Sequence, residues 1–262
     1  MADAAIARET DDAERIVDEH GRKRPIPDIA PGAPWTAVEE AIFRRRSIRR
    51  YRKTQVAEHL VRRVLEAGRF APSQGNGQPW KFVVVRDAEM IAAMETFCVV
   101  RCQALSRKID YARLEKGTFA YTSTRLLAKA FAWMQPNMMH PVPVSAMAAI
   151  AEGRFAVFHR APTVILLLMD KRGIGTPEID IGICGQNMVL AAQSLGIGTC
   201  WVGFSKFLNE GAEWRERFGA EDPWEIVEAI TLGWPVGDPT RLIARETHEI
   251  AWFEHGRRDV RY

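Results

Sequence analysis

At 262 residues, the chain is long enough to bury a substantial core in one large domain or two small ones. Its 47% hydrophobic and 26% charged residues are ordinary for a globular protein, and its net charge of +3 excludes a chain that is basic throughout. The longest apolar run, Val164 to Met169, is too short to span a bilayer, and the polar N-terminus lacks a signal-peptide core. We therefore expect a cytoplasmic protein that does not bind a membrane.

Segment 1–34 is acidic, then basic, then proline-rich. Without an apolar face it cannot form a core of its own, so we predict an extended N-terminal arm followed by one domain over 35–262. The spacing of apolar residues in that domain predicts helices over 35–45, 57–70, 87–102, 118–133, 177–195 and 208–218, and strands over 80–85, 161–169, 197–204 and 226–232. Because these strands and helices do not alternate regularly, the pattern favours an α+β fold over a doubly wound parallel sheet.

Segment 103–153 has the least regular pattern of apolar residues in the chain, apart from the helix predicted over 118–133. Met134 to Pro143 combines methionines with prolines, which predicts a loop with an adaptable apolar surface. Such a loop is either a lid packed on the core or a wall that faces a substrate. Both alternatives stay open at this point.

An arginine-rich stretch stands where the first good helix gives way to extended chain. Residues 44–53 include seven Arg or Lys, together with the hydroxyl of Ser47. Guanidinium groups match the planar geometry of a phosphate, and a hydroxyl adds a neutral hydrogen bond. The stretch is either a nucleotide-like cofactor site, a nucleic-acid patch or a solvated helix end.

A turn-rich loop of small and amide side chains follows, from Ala71 to Trp80. Asn76 and Gln78 present donors and acceptors together, which suits the polar edge of a heterocycle, although such residues also form turns without any ligand. Farther along, Gly196, Gly198 and Gly203 follow a helix and precede or end a strand. That order is the reverse of a Rossmann turn, so we reject a dinucleotide fingerprint.

Metal and nucleophile chemistry have little support. The cysteines at 98, 102, 184 and 200 have no zinc-site spacing, and we expect buried free thiols. The histidines at 20, 59, 140, 159, 248 and 255 form no triad-like or metal-like pattern. We predict no metal site.

Four segments in this order resemble the FMN-dependent nitroreductase family. They are Arg-Arg-Ser-Ile-Arg-x-Tyr, the Ala-Pro-Ser loop that ends in Gln-Pro-Trp, a Leu-Gly-Ile-Gly-Thr-x-Trp-x-Gly element and a Leu-Gly-x-Pro turn followed by arginine, and they cover about residues 36–252. The resemblance implies a three-layer α-β-α sandwich around a mixed, mainly antiparallel sheet, in a homodimer with shared FMN sites. The chain departs from compact members in its longer arm, in the unaligned segment 103–153, which in this family faces the substrate, and in a tail reduced to the spacing Ile243/Arg245.

The resemblance also implies a set of cofactor-binding residues. Arg45 holds the phosphate, Arg49 points to the pyrimidine edge of the ring, and the partner subunit supplies the amide loop. The full implied set is Arg45, Arg46, Ser47, Arg49, Pro72, Ser73, Asn76, Gln78, Cys200, Trp201, Gly203 and Arg245, with Arg241 as the alternative to Arg245. No side chain is implied as catalytic, because the flavin carries the chemistry.

The implied function is an oxidoreductase that passes hydride from NADH or NADPH through flavin to a nitroaromatic, quinone or similar small acceptor by ping-pong. Within the same fold, a reductive dehalogenase, an oxidative dehydrogenase and a flavin-consuming enzyme are alternatives. A flavin-binding protein without turnover, and a nucleic-acid binder built on the arginine-rich stretch, are alternatives of other classes. The resemblance favours the enzyme and no nucleic-acid partner.

Overall fold

The structure, a computed structural model, describes residues 15–17, 23–25, 32–109, 111, 114–134, 141–237, 248–254 and 256–261. By its internal contacts the chain divides into two compact units after Glu40. The first unit contains a short antiparallel hairpin of β1 (Arg15–Val17) and β2 (Lys23–Pro25). The extended arm over 1–34 stays a prediction.

Helix α1 (Ala37–Arg44) begins with a reciprocal cap. The Glu39 amide donates to Thr36 Oγ1 at 3.3 Å, and the Thr36 amide donates to Glu39 Oε2 at 2.8 Å. The two bonds satisfy two amides that a helix start leaves unpaired. The Thr36 amide and then the Thr36 hydroxyl, which both donate to Glu39 Oε2, lower the pKa of the Glu39 carboxyl. The start of α1 is thereby fixed.

The second unit carries the remaining helices and strands. After α1 come α2 (Glu58–Arg69), β3 (Trp80–Val85), α3 (Ala88–Ile109), α4 (Phe119–Met134), α5 (Pro141–Ala151), β4 (Thr163–Asp170), α6 (Pro177–Ser194), β5 (Gly198–Val202), α7 (Ala212–Phe218), β6 (Trp224–Gly233), β7 (Ile250–Glu254) and β8 (Arg257–Arg261). A 3-10 helix over Gly203–Glu210 links β5 to α7. No described helix has both the length and the apolar character to cross a bilayer.

Four strands form the central sheet in the order β3-β4-β6-β5, and every neighbouring pair is antiparallel. β4 is central and buried along nearly its whole length, because helices cover both faces of the sheet. β3 and β5 are the two edges. β7 and β8 form a separate antiparallel hairpin.

Alternate residues of β4 enter different cores. Val164, Leu166 and Leu168 join a cluster with buried residues of α3, α5 and α7. Ile165, Leu167 and Met169 join a second cluster with α2 and α6. The period-two pattern of one apolar strand therefore builds a three-layer arrangement of helices, sheet and helices.

Helices α2 and α6 approach closely where Gly68 faces Met188. A Cβ at Gly68 would lie only 2.7 Å from the Met188 side chain. The contact is reinforced by Asn187 Nδ2, which donates to the Ala67 carbonyl at 3.2 Å. This pair forms the layer that supports the amide loop.

The α+β fold and its three layers are confirmed, with one refinement. The paired strands of the central sheet are antiparallel throughout, and parallel pairing occurs in an isolated bridge between Ser47 and Thr199. The predicted loop over 134–143 is wrong at its end, since α5 begins at Pro141; residues 135–140 lie outside the described part. Proline at the first helical position lacks only an N–H that would be unpaired there anyway.

Helix α4, within the segment 103–153, exposes much of its apolar surface. Phe119 is 89% exposed and Trp133 is 86% exposed, whereas Ala128 is buried. Ala128 joins the core cluster around α3, as do Met147 and Ile150 of α5. The lid packed on the core and the substrate-facing wall therefore both stay predictions for this segment.

Candidate cofactor site

The arginine segment, Arg45 to Tyr51, extends the central sheet at its β5 edge. Ser47 bridges Thr199, and the Ile48 amide donates to the Thr199 carbonyl at 2.8 Å. Ile48 itself is buried against Gly198 of β5. The alternation of a strand then turns Ser47 and Arg49 away from the side that Ile48 occupies, and both are exposed.

Tyr51 fixes the far end of the arginine segment. Its hydroxyl donates to the Ile48 carbonyl at 2.6 Å and lies 2.8 Å from Thr231 Oγ1 of β6. Burial raises the pKa of this phenol, so it stays neutral. Tyr51 ends the Arg-Arg-Ser-Ile-Arg-x-Tyr motif, which by itself gives the tyrosine no role; the structure gives it a positioning role.

Three predicted ligands meet around Cys200. Burial raises the pKa of the Cys200 thiol, while the Arg49 guanidinium, the Ser47 hydroxyl and the Arg45 guanidinium oppose that rise. Across the described ranges, neither Arg45 nor Arg49 has a carboxylate or a hydrogen-bond acceptor for its side chain. Two guanidinium groups and a hydroxyl at one strand edge form a cationic site that suits an anion.

Arg46 points elsewhere. Its guanidinium donates to the Phe43 carbonyl at 2.7 Å and to the Arg45 carbonyl at 2.6 Å. These are carbonyls at the end of α1, which a helix leaves without partners. The geometry thus favours a capping role for Arg46, and its role as a cofactor ligand stays a prediction.

The amide loop, Pro72 to Pro79, holds its polar side chains in a fixed arrangement. Gln78 Nε2 donates to Asn76 Oδ1 at 3.1 Å, and the Gln78 amide donates to Ser73 Oγ at 3.0 Å. Asn76 and Gln78 both have positive φ, 54° and 46°. Such conformations are uncommon for residues other than glycine and often occur at ligand sites.

The hydrogen bond between Gln78 and Asn76 leaves one polar group of each side chain available to a ligand. With Asn76 Oδ1 engaged by Gln78 Nε2, the Asn76 amide nitrogen still donates and the Gln78 amide oxygen still accepts. The loop thus offers one donor beside one acceptor. That is the pattern predicted for the polar edge of a heterocycle.

The amide loop and the arginine segment lie at opposite edges of the sheet. The loop runs directly into β3, whereas the arginine segment pairs with β5. Four inter-strand spacings of about 4.8 Å separate β3 from the arginine segment, three as far as β5 and one beyond it, or about 19 Å. Within one chain the two predicted halves of the site are therefore not brought together.

The end of β5 supplies the remaining predicted contacts. Trp201 packs its ring on Gly185 of α6, where a Cβ would overlap the ring, so Trp201 is a packing residue through its side chain. Gly203 follows β5 and lies beside Glu228, whose oxygens would be 3.4 Å from a Cβ there. Gly203, which is exposed and has no side chain, leaves the backbone at the end of β5 open to close approach.

Two charged residues near the end of β5, Glu228 and Lys206, were not predicted from the sequence. Glu228 pairs with Lys206 at 3.2 Å, and burial raises the pKa of the Glu228 carboxyl although Lys206 opposes the rise. A carboxylate within a strand of apolar residues is the available sequence signal. It becomes meaningful only when β6 is placed beside Gly203.

His159 is another residue near the cationic site that was not identified from the sequence. It is partly buried, its ring packs edge-on against Phe155 at 5.1 Å, and both His159 and Arg160 have φ of 55°. Burial first, and then the Arg49 charge, lower the pKa of His159 to about 4. A neutral imidazole therefore lies within the electrostatic reach of the cationic site.

The predicted Arg245 and its alternative Arg241 lie outside the described residues. Among the described residues, no group of three His, Cys, Asp or Glu side chains could hold a metal ion. The four cysteines are free and buried, as expected.

A sequence profile described as the Nitroreductase family matches residues 42–234. The chain belongs to this family. The match begins within α1 and ends at Trp234, so it contains both the arginine segment and the amide loop. The predicted family and enzyme class, an oxidoreductase of the nitroreductase type, are thereby confirmed.

Several known proteins are similar to this chain over most of their length. An NADH dehydrogenase/NAD(P)H nitroreductase of Archaeoglobus fulgidus is 27% identical over 194 residues, which are 74% of this chain and 83% of the relative. The 5,6-dimethylbenzimidazole synthase of Rhodospirillum rubrum is 39% identical over 228 residues, covering 82% and 86%. A crystal structure of a nitroreductase with bound FMN from Desulfitobacterium hafniense has a TM-score of 0.58 at 21% identity, covering 81% and 96%. This last likeness concerns the fold.

Proposed function

We propose that the chain is an FMN-dependent oxidoreductase that uses NADH or NADPH to reduce a nitroaromatic, a quinone or a similar small acceptor. The observation that carries the proposal is the cationic site at the β5 edge. In the described part of the chain, Arg45 and Arg49 have no carboxylate partner there, and Ser47 is exposed between them. Family membership gives such a site its chemistry.

The donor set fits a flavin mononucleotide. Arg45 would hold the phosphate with Ser47, and Arg49 would bind towards the pyrimidine edge of the ring. The backbone from Cys200 to Gly203 would border the ring, because Gly203 has no side chain to obstruct it. Arg245 would add a second guanidinium to the phosphate.

Bound FMN would supply the redox chemistry, accepting hydride from the nicotinamide and passing reducing equivalents to the acceptor in ping-pong order. The chain's own residues would bind and orient. A fixed cation at Arg49 would favour additional negative charge on the pyrimidine edge. No side chain needs to act as a general base, since solvent can deliver protons at an exposed site.

A homodimer would complete the site. The amide loop lies about 19 Å across the sheet from the arginine segment, so a second copy is the source of an amide loop near each cationic site. Phe70, 84% exposed, and Ile174, 56% exposed, flank the loop and give it an apolar rim. Such a rim suits an interface between two copies.

We assign the acceptor contact to the segment 103–153. Its exposed apolar side chains on α4 suit a planar aromatic molecule better than a charged one. The four buried free cysteines fit a reducing cytoplasm.

Stopped-flow reduction tests this function. The purified protein is mixed anaerobically with NADH or NADPH, and flavin absorbance is followed before and after a nitroaromatic or quinone is added. We expect reduction by a nicotinamide, reoxidation by an acceptor, and parallel lines in double-reciprocal plots. A yellow protein that neither nicotinamide reduces at useful rates would instead be a flavin-binding protein without turnover.

The Rhodospirillum relative supports a second candidate. It is 39% identical over most of both chains, and the compound in its name carries the dimethyl-substituted benzene ring that FMN also carries. In this alternative the flavin is consumed rather than recycled. Incubating the reduced protein with oxygen and searching for 5,6-dimethylbenzimidazole by mass spectrometry separates the two, because an oxidoreductase returns its FMN intact.

A further inference from the structure

We propose that Asp180, with the turn between β4 and α6 (Lys171–Thr176), positions the amide loop for the cofactor site of the partner subunit. The proposal rests on the proposed FMN site and goes beyond it, because it assigns a positioning role to residues that do not belong to either ligand-bearing segment. The turn and α6 would act on the flavin only through the loop.

Asp180 is a buried carboxylate aimed at the loop. It is 6% exposed, and both of its carboxylate oxygens lie 3.4 Å from the Gln74 amide nitrogen. Gln74 begins a short 3-10 helix, Gln74–Asn76, which contains the predicted ligand Asn76. A charged acceptor therefore holds the first amide of the turn that presents the ligand side chains.

The turn between β4 and α6 fits the loop at several other points. A Cβ at Gly175 would overlap the Gln74 side chain, and Gly175 has φ of 72°. A Cβ at Gly173 would lie 2.8 Å from Pro79. The Asp170 amide donates to the Pro79 carbonyl at 3.0 Å, so both ends of the loop are fixed to this part of the chain.

Such support is needed because the loop is strained. Gly75, Asn76 and Gln78 all have positive φ, and only the first is glycine. The loop lacks a core of its own, and none of its residues from Pro72 to Gln78 is buried. Surrounding structure has to maintain a conformation that asparagine and glutamine seldom adopt alone.

Asp180 could instead simply stabilise the start of α6, where an acidic residue complements the helix dipole. Glu178 provides the matched control, since it lies in the same first turn and is exposed. Removing Glu178 alters the charge at the helix start and leaves the Gln74 contact intact. Removing Asp180 alters both.

The first experiment compares FMN dissociation constants of Asp180→Ala, Asp180→Asn and Glu178→Ala by flavin fluorescence. We expect Asp180→Ala to weaken FMN binding by at least about tenfold, because the loop loses a charged anchor. Asp180→Asn keeps an oxygen acceptor for the Gln74 amide and should stay within about threefold of wild type, and Glu178→Ala within about twofold. If Asp180→Ala does not fold, Gly175→Ala tests the same fit and should also weaken FMN binding.

Some outcomes overturn this inference alone. A folded Asp180→Ala protein with wild-type FMN affinity, or equal losses in Asp180→Ala and Glu178→Ala, would overturn the positioning role. In either case, loss of FMN from Arg45→Ala would leave the proposed cofactor site standing. Unchanged FMN binding in Arg45→Ala would overturn the proposed site itself.

Mixed dimers test whether the loop acts across subunits. Differently tagged Arg45→Ala and Asp180→Ala chains are co-expressed, and the mixed dimer is purified over both tags. If the loop serves the partner, both defects fall in one site and the other site is intact, so we expect about one tightly bound FMN per dimer. Two damaged sites and no tightly bound FMN would show that the loop serves its own chain.

Discussion

The arginine segment and the amide loop prepare for a ligand in opposite ways. In the arginine segment the Ile48 amide bonds to β5 and the Arg50 carbonyl accepts from Val236, just after β6, while the guanidinium groups of Arg45 and Arg49 have no acceptor among the described residues. In the amide loop, the side chains of Asn76 and Gln78 bond to each other on a strained backbone. One segment has relaxed backbone and unpaired charge; the other has paired side chains and strained backbone.

This difference separates affinity from orientation. Unpaired guanidinium groups gain most when an anion arrives, so the arginine segment should supply most of the binding energy. A preformed pair of amides loses little freedom on binding, so the loop should supply geometry. Substitutions in the arginine segment should therefore have the larger effects on FMN affinity. Substitutions in the amide loop should have smaller effects, which concern the orientation of the ligand.

The largest expected effect is that of Arg45→Ala. Losing a charged hydrogen bond to the phosphate should weaken FMN binding by about 100-fold, or about 2.7 kcal/mol. Titration of the apoprotein with FMN measures it. Arg50→Ala is the control, since Arg50 is exposed in the same basic run and should change affinity less than about threefold. Equal losses of FMN affinity in both variants would mean that Arg45 acts through the general positive charge of the segment and not through a specific contact.

Tyr51→Phe should have a smaller effect, and on stability. Without the hydroxyl, the Ile48 carbonyl and Thr231 lose a partner in a mostly buried place, which should cost about 1–2 kcal/mol in the free energy of unfolding. Urea unfolding of the two proteins measures this. Tyr121→Phe should change stability by less than about 0.5 kcal/mol, because no described residue bonds to the Tyr121 hydroxyl. A neutral Tyr51→Phe would mean that the arginine segment is held by its backbone alone.

The smallest expected effect is the pH dependence caused by His159. Its pKa falls from 6.5 to about 4 in the folded chain, so the unfolded chain binds more protons between those values. Wild type should therefore lose more stability than His159→Gln as pH falls from 7 to 4.5. Discounted for partial exposure, the difference should be about 1 kcal/mol. Parallel pH profiles would contradict a neutral imidazole beside Arg49.

Periodicity predicted much of the fold. β3 was predicted at the observed bounds, Trp80–Val85; α2 differs from prediction by one residue at each end and α6 by one residue at its C-terminal end. These elements have one clear apolar stripe or a run of β-branched residues, so local pattern and packing agree. The helix predicted over 208–218 is instead part of a 3-10 helix followed by α7, because Gly211 separates them.

The site was predicted only in part, because its support is non-local. Asp180 holds Gln74 from 106 positions away, and Glu228 comes beside Gly203 only through the pairing of β5 with β6. The start of α5 was also predicted wrongly as a loop. Prolines at 141 and 143 are typical of loops, and only the structure shows that they lie in the first turn of a helix. A motif identifies ligands; the residues that position them depend on the fold.

The central claim is that the cationic site at β5 binds FMN, and the most direct test is the cofactor of the purified protein. The visible spectrum is recorded, the protein is denatured, and the released compound is identified and counted against chain concentration. This account predicts a yellow protein that releases one FMN per chain, and a mostly colourless Arg45→Ala variant. A colourless wild-type protein that also fails to take up added FMN would contradict it.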